Sequence, residues 1–116
     1  MKGNIVAQKS KLFALRIINL YKYLTVESQE FIISKQLLRS GTSIGANIAE
    51  AIRGESKADF YHKLNIALKE AGETAYWLEL LFMSEYIDEK AYESISNDCD
   101  ELIRLLVAIT KTQYDE

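Results

Sequence analysis

The 116-residue chain has no proline and only five glycines. Sandwiches and barrels need many proline- and glycine-rich turns, so an all-β architecture is excluded. Cys99 is the single cysteine, which rules out an intrachain disulfide and a cysteine-based zinc site. No run of 18 apolar residues occurs, so no transmembrane helix is expected. Met1 to Ile5 is not followed by an apolar signal core, and a cytoplasmic location without membrane contact is expected. What is present fits a folded domain. The composition is 48% hydrophobic and 27% charged, outside the range of disordered chains. Residues 1–116 read as a single domain, long enough for one core without covalent staples.

Charge is unevenly placed. Residues 1–53 carry eight Lys/Arg against Glu27, Glu30 and Glu50, whereas residues 54–116 carry six against fourteen acids. Lys2, Lys9, Lys11, Arg16 and Lys22 precede the first acid, and they are the candidate phosphate-binding residues. They do not form one strip: Lys2, Lys9 and Arg16 share a helical stripe, with Lys11 and Lys22 nearly opposite. Attraction between the two halves, within a bundle or between subunits, is the plainer use of the same charges.

Hydrophobic periodicity gives four helices, over about 6–24, 27–53, 57–85 and 89–112. In the first, Val6, Phe13, Ile17, Leu20 and Leu24 form one face, and Leu12, Leu15 and Tyr23 form a second. A helix apolar on two sides is expected to be covered on two sides. Thr25 is the expected N-cap of the second helix, with Glu27 in its first turn. The centre of that helix, Ser40 to Ala49, carries no charge. A break at Gly41 with a restart at Thr42 or Ser43 competes with one continuous helix. The continuous reading is preferred because Ile44, Ile48 and Ile52 keep their spacing through the glycines. Gly41, Gly45 and Ala49 then form a track without bulky side chains, along which another helix can approach closely. Thr42 and Ala46 on the far side are also small, so this segment is expected to be buried all round. Phe60, Leu64, Ala67, Ala71, Ala75, Leu78 and Phe82 form the third core stripe. Ile95, Cys99, Leu102, Leu106 and Ile109 form the fourth. Ser56 and Asp88 are the expected caps. With connections of two to four residues, the expected fold is all-α, an antiparallel up-down-up-down four-helix bundle.

Little in this pattern carries chemistry. A di-iron bundle site needs two Glu-x-x-His pairs, and His62 is the only histidine; no metal and no cofactor are expected. Glu50, Glu70, Glu73 and Glu79 have no spacing to a nucleophile and read as ordinary helix faces. Cys99 sits on an apolar stripe and reads as an inert thiol. No catalytic residue is assigned. Tyr61, Tyr76 and Trp77 could stack on bases, although helix packing is the commoner use. Trp77 lies off the core stripe near Ile66, which suits a subunit contact.

The run Gln36 to Ala51, QLLRSGTSIGANIAEA, together with Phe60 to Leu78, FYHKLNIALKEAGETAYWL, resembles the four-helix-bundle family named for the 23S rRNA intervening sequence. The resemblance covers nearly the whole chain. Many members carry glycine where this chain has Ala51. The resemblance implies a ring-like homopentamer of four-helix bundles with no catalytic residues. It also implies a relation to the accessory variability proteins of diversity-generating retroelements, whose similar pentamer binds nucleic acid and a reverse transcriptase. Those proteins are typically basic, and this chain is acidic. The expected function is a non-catalytic homo-oligomeric scaffold that engages RNA or a nucleoprotein. The alternative is a protein–protein interaction module without nucleic-acid binding.

Overall fold

The computed structural model describes residues 2–114, with side chains from Ile5 onward. Four helices run in order: α1 (Lys2–Val26), α2 (Ile33–Ile52), α3 (Lys57–Met83) and α4 (Glu89–Lys111), followed by a 3-10 turn at Thr112–Tyr114. No strand occurs among the described residues. The helices pack antiparallel into an elongated bundle with extents of 47 × 21 × 19 Å. Its core contains Val6, Phe13, Ile17 and Leu24 of α1, Leu37, Ile44 and Ile48 of α2, and Leu64, Leu78, Leu102 and Leu106 of the second hairpin. No helix among the described residues is long and apolar enough to cross a membrane.

The first connection departs from the sequence reading. Thr25 does not cap α2: its hydroxyl donates back to the Tyr21 carbonyl at 3.0 Å, and α1 continues to Val26. Residues 27–32 then form a six-residue turn in which Gln29 takes φ 52°. Glu30 starts α2 instead. Its carboxylate accepts from the backbone N–H groups of Ile32, Ile33 and Ser34 at 3.1, 2.9 and 2.6 Å. These are donors that an α-helix cannot satisfy internally. The Ser34 hydroxyl donates to the Glu30 carbonyl at 2.7 Å. Burial opposes ionisation of Glu30, but the three N–H groups and the Ser34 hydroxyl outweigh it and hold the carboxyl below its ordinary value.

The other two caps follow expectation. Ser56 Oγ accepts from Asp59 N at 3.1 Å, and Asp88 Oδ1 accepts from Ala91 N at 2.8 Å. The four- and five-residue turns at 53–56 and 84–88 separate α2, α3 and α4, so two of the three connections are longer than expected. Helix α2 runs unbroken through Gly41 and Gly45. The core face of α3 is rotated slightly from the expected stripe. Tyr61, Thr74 and Leu81 are buried, whereas Phe60, Ala75 and Phe82 are half-buried. Thr74 tolerates burial because its hydroxyl donates to the Glu70 carbonyl at 2.8 Å and lies 2.9 Å from Ser40 Oγ.

Candidate interface on helices α1 and α2

Gly41 and Gly45 set how closely the first two helices approach. A Cβ added at Gly41 would lie 2.8 Å from both γ-carbons of Ile17. One added at Gly45 would lie 3.2 Å from Ser10 Oγ. Gly41 is buried, but Gly45 and Ala49 are only half-buried, and Ala46 is exposed. The small segment is therefore not enclosed by its own chain, contrary to the expectation of burial on all sides. It floors an open groove of about 780 Å³ between α1 and α2, whose walls include Ala7, Leu12, Ala14, Thr42 and Ile52.

The second apolar face of α1 is likewise uncovered. Leu12 and Leu15 are 58% and 54% exposed, and Tyr23 is also exposed. The bundle buries one side of α1, and none of the described residues covers the other. Leu12 lines both this groove and a smaller one toward α4, so it stands on a ridge between two furrows.

The five predicted cations divide into two groups. Lys9 Nζ lies 3.2 Å from Glu101 Oε2. Arg16 Nη1 donates to Asp98 Oδ2 at 2.6 Å, and Arg16 also donates to the Ser94 carbonyl at 3.3 Å and to its hydroxyl at 3.0 Å. Both are thereby tied to α4. Lys11 and Lys22 are exposed and make no ion pair among the described residues, and the same holds for Lys35 and Arg53. Lys11 and Arg53 line the α1–α2 groove. The Lys2 side chain lies outside the described residues. Sequence reasoning overlooked Arg53, because only the antiparallel packing of α1 and α2 puts it on the same groove as Lys11.

The aromatic candidates also separate. Tyr61 is buried, with its hydroxyl 2.7 Å from Thr112 Oγ1, so it belongs to the core and not to a base-stacking surface. Trp77 is half-buried and its indole N–H donates to Glu73 Oε2 at 3.0 Å. Glu73 in turn accepts from Arg39, which also donates to Glu70 at 3.1 Å. The Trp77 hydrogen bond and the Arg39 guanidinium keep the Glu73 carboxyl below its ordinary value despite partial burial. This cluster clamps α2 to α3. Tyr76 is the aromatic that α3 leaves outside.

The reactive groups are dispersed. No group of three or more His, Cys, Asp or Glu residues that could hold a metal occurs among the described residues. Burial, with Asp100 adding to it, pushes the Cys99 thiol up to about 12. Its Sγ–H donates to the Ala71 carbonyl at 3.4 Å. A thiol of this kind is not a nucleophile at neutral pH.

The fold is thus an all-α antiparallel four-helix bundle with an uncovered apolar face along α1 and α2. The family model described as 23S rRNA-intervening sequence protein matches residues 2–108, and the chain belongs to that family. It is similar to a crystal structure of a protein of unknown function from Bacteroides thetaiotaomicron, described as a member of the S23 ribosomal protein family. The two share 62% identity with a TM-score of 0.94, over 97% of this chain and 100% of that one. A search of curated proteins returns no match.

Proposed function

We propose that this protein is a non-catalytic scaffold that works as a homo-oligomer, a pentameric ring by family resemblance, and that it engages RNA or a nucleoprotein partner. The observation that carries the assembly is the α1–α2 face, where Leu12 and Leu15 stand exposed beside an open groove floored by Gly45, Ala46 and Ala49. Contiguous apolar surface of this kind marks an interaction site. Lys11, Lys22, Lys35 and Arg53 supply positive charge with no ion-pair partner among the described residues, which supports contact with phosphate. Lys9 and Arg16 are partly neutralised by α4, and this favours the second reading, a module that binds only protein.

Light scattering on purified protein, with and without nuclease, tests both parts. A particle mass that is a multiple of 13.3 kDa is expected. Binding to structured RNA should weaken steeply between about 50 and 200 mM salt and should be lost in Lys11→Glu/Lys22→Glu. Binding that is absent, or indifferent to salt, selects the protein-only reading.

A further inference from the structure

Two turns meet at one end of the bundle. Residues 27–32 join α1 to α2 and residues 84–88 join α3 to α4, and antiparallel packing sets both at the end away from the start of α1 and the finish of α4. Large apolar side chains stand uncovered there. Val26, Phe31, Ile32, Met83 and Tyr86 are all exposed, Ile32 by 78% and Met83 by 69%. Two local choices at this end work against the fold. Ile32 occupies the N-cap of α2 without a side-chain bond, a position where isoleucine is among the poorest residues. Glu85 takes φ 68° just past the end of α3, where glycine is customary. An apolar side chain and a carboxylate are thus kept at positions that local stability would give to other residues.

The charge of the two turns has one sign. They contain Glu27, Glu30, Glu85 and Asp88 and no Lys or Arg. Glu27 and Glu85 make no ion pair among the described residues. Helices α2 and α4 begin here, and their positive dipole ends are already met by Glu30 and Asp88. Helices α1 and α3 finish here with no basic residue in the last turn, so no side chain offsets their negative ends. The flanking helical turns carry Lys22, Lys35 and Lys90 against Glu79, Glu89 and Glu93, and add no net charge. We propose that this end of the bundle is a docking site for a cationic amphipathic segment of another protein. Its apolar side chains seat on Phe31, Ile32 and Met83, and its Lys or Arg side chains face Glu27 and Glu85. The same sign of charge disfavours nucleic-acid phosphate and anionic lipid at this end. The site stands apart from the α1–α2 groove and does not depend on the assembly proposed above.

A labelled amphipathic peptide made only of leucine and lysine is the probe. Its leucine–glutamate counterpart, phosphatidylserine vesicles and a structured RNA are the comparisons. The leucine–lysine peptide should bind in fluorescence anisotropy and should weaken several-fold as salt rises from about 50 to 200 mM. The chain has two methionines. With isotope-labelled methionine methyl groups, the Met83 resonance should shift on binding and the Met1 resonance should not. Ile32→Ser and the double variant Glu27→Lys/Glu85→Lys should each weaken binding about tenfold. Ile32→Ser should melt no lower than the wild type, since serine suits the cap, and the light-scattering mass of both variants should match that of the wild type. Absent peptide binding, equal binding of the leucine–glutamate counterpart, an unmoved Met83 resonance or variants that bind as tightly as the wild type each overturn the site. A Met83 shift caused by the vesicles or the RNA overturns it in favour of a lipid or phosphate surface. A changed particle mass in Ile32→Ser overturns it in favour of a contact between copies.

Discussion

Gly41→Leu is expected to lower the melting temperature by about 12 °C or more. Forcing extra carbons into a filled core typically costs 1–3 kcal/mol and sometimes more, and about 4 °C accompanies each kcal/mol in a domain of this length. The position offers no escape. The first added carbon would already lie 2.8 Å from both γ-carbons of Ile17, and Ile17 is fully buried. Those atoms sit next to the α1 backbone, so relief requires α1 and α2 to move apart. The smaller change Gly41→Ala separates two opposing effects. Alanine is the better helix former by about 1 kcal/mol, but its methyl group meets Ile17. In an Ile17→Ala background both γ-carbons are gone and only the Cβ remains, 3.2 Å from the added methyl, so Gly41→Ala should be clearly less costly than in the wild type. Gly72→Ala, with open space around it, should raise the melting temperature of dissociated chains by about 4 °C. Thermal melts of the four proteins in the Gly41/Ile17 cycle, at concentrations that keep chains apart, decide the matter. If Gly41→Ala stabilises the wild type as much as Gly72→Ala does, the close approach of the two helices is not what glycine serves at position 41.

Removing the Glu30 carboxylate should have the second-largest effect. Glu30→Ala leaves the N–H groups of Ile32, Ile33 and Ser34 without their acceptor. Losing a helix cap costs about 0.5–2 kcal/mol, and a buried donor without a partner adds about 1–3 kcal/mol. A combined loss of about 2–3 kcal/mol in urea unfolding at pH 7 is expected. The same group confers acid sensitivity. Its carboxyl titrates below the ordinary carboxylate value in the folded chain, held there by the three backbone N–H groups and the Ser34 hydroxyl. The folded state therefore binds the proton less readily than the unfolded state. Its contribution is complete above the unfolded value and disappears as pH falls through the folded one. Wild-type stability should drop between neutral pH and the acid range by more than that of Glu30→Gln, which keeps an acceptor oxygen but no charge. Equal acid losses in the two proteins would show that Glu30 does not drive the dependence.

These two positions also mark how far the sequence could be read. Gly41 was legible, because a glycine track flanked by Ile44 and Ile48 already implies a close helix contact. Glu30 was not. Rules for helix starts look for Ser, Thr, Asp or Asn at the cap, and here Ile32 occupies that position with no side-chain bond. The acceptor instead comes from a glutamate upstream of the helix, reaching forward across the turn. Thr25 matched the expected residue type, yet its hydroxyl found the carbonyl one turn back within α1. The candidate interface was half legible. Periodicity identified Leu12, Leu15 and Tyr23 as a second apolar face. It gave the residues and not their cover, since a stripe pattern does not reveal whether the chain has a helix left to place over it. Helical spacing already put Lys11 and Lys22 opposite Lys9 and Arg16, but not which pair is neutralised. That is decided by the register of α4, which brings Glu101 and Asp98 beside Lys9 and Arg16.

That register has a consequence for how the bundle opens. Neighbouring helices joined by short turns meet through local contacts, which form early and at little entropic expense. The seam between α1 and α4 joins residues as far apart in sequence as Arg16 and Asp98, 82 positions. It is fastened partly by half-exposed ion pairs, each worth about 0.2–1 kcal/mol and weakened by salt. The first and last helices therefore act like the two edges of a rolled sheet, the last place to zip shut and the first to part. Amide protons along that edge should exchange before those of α2 and α3, and sooner still as ionic strength rises.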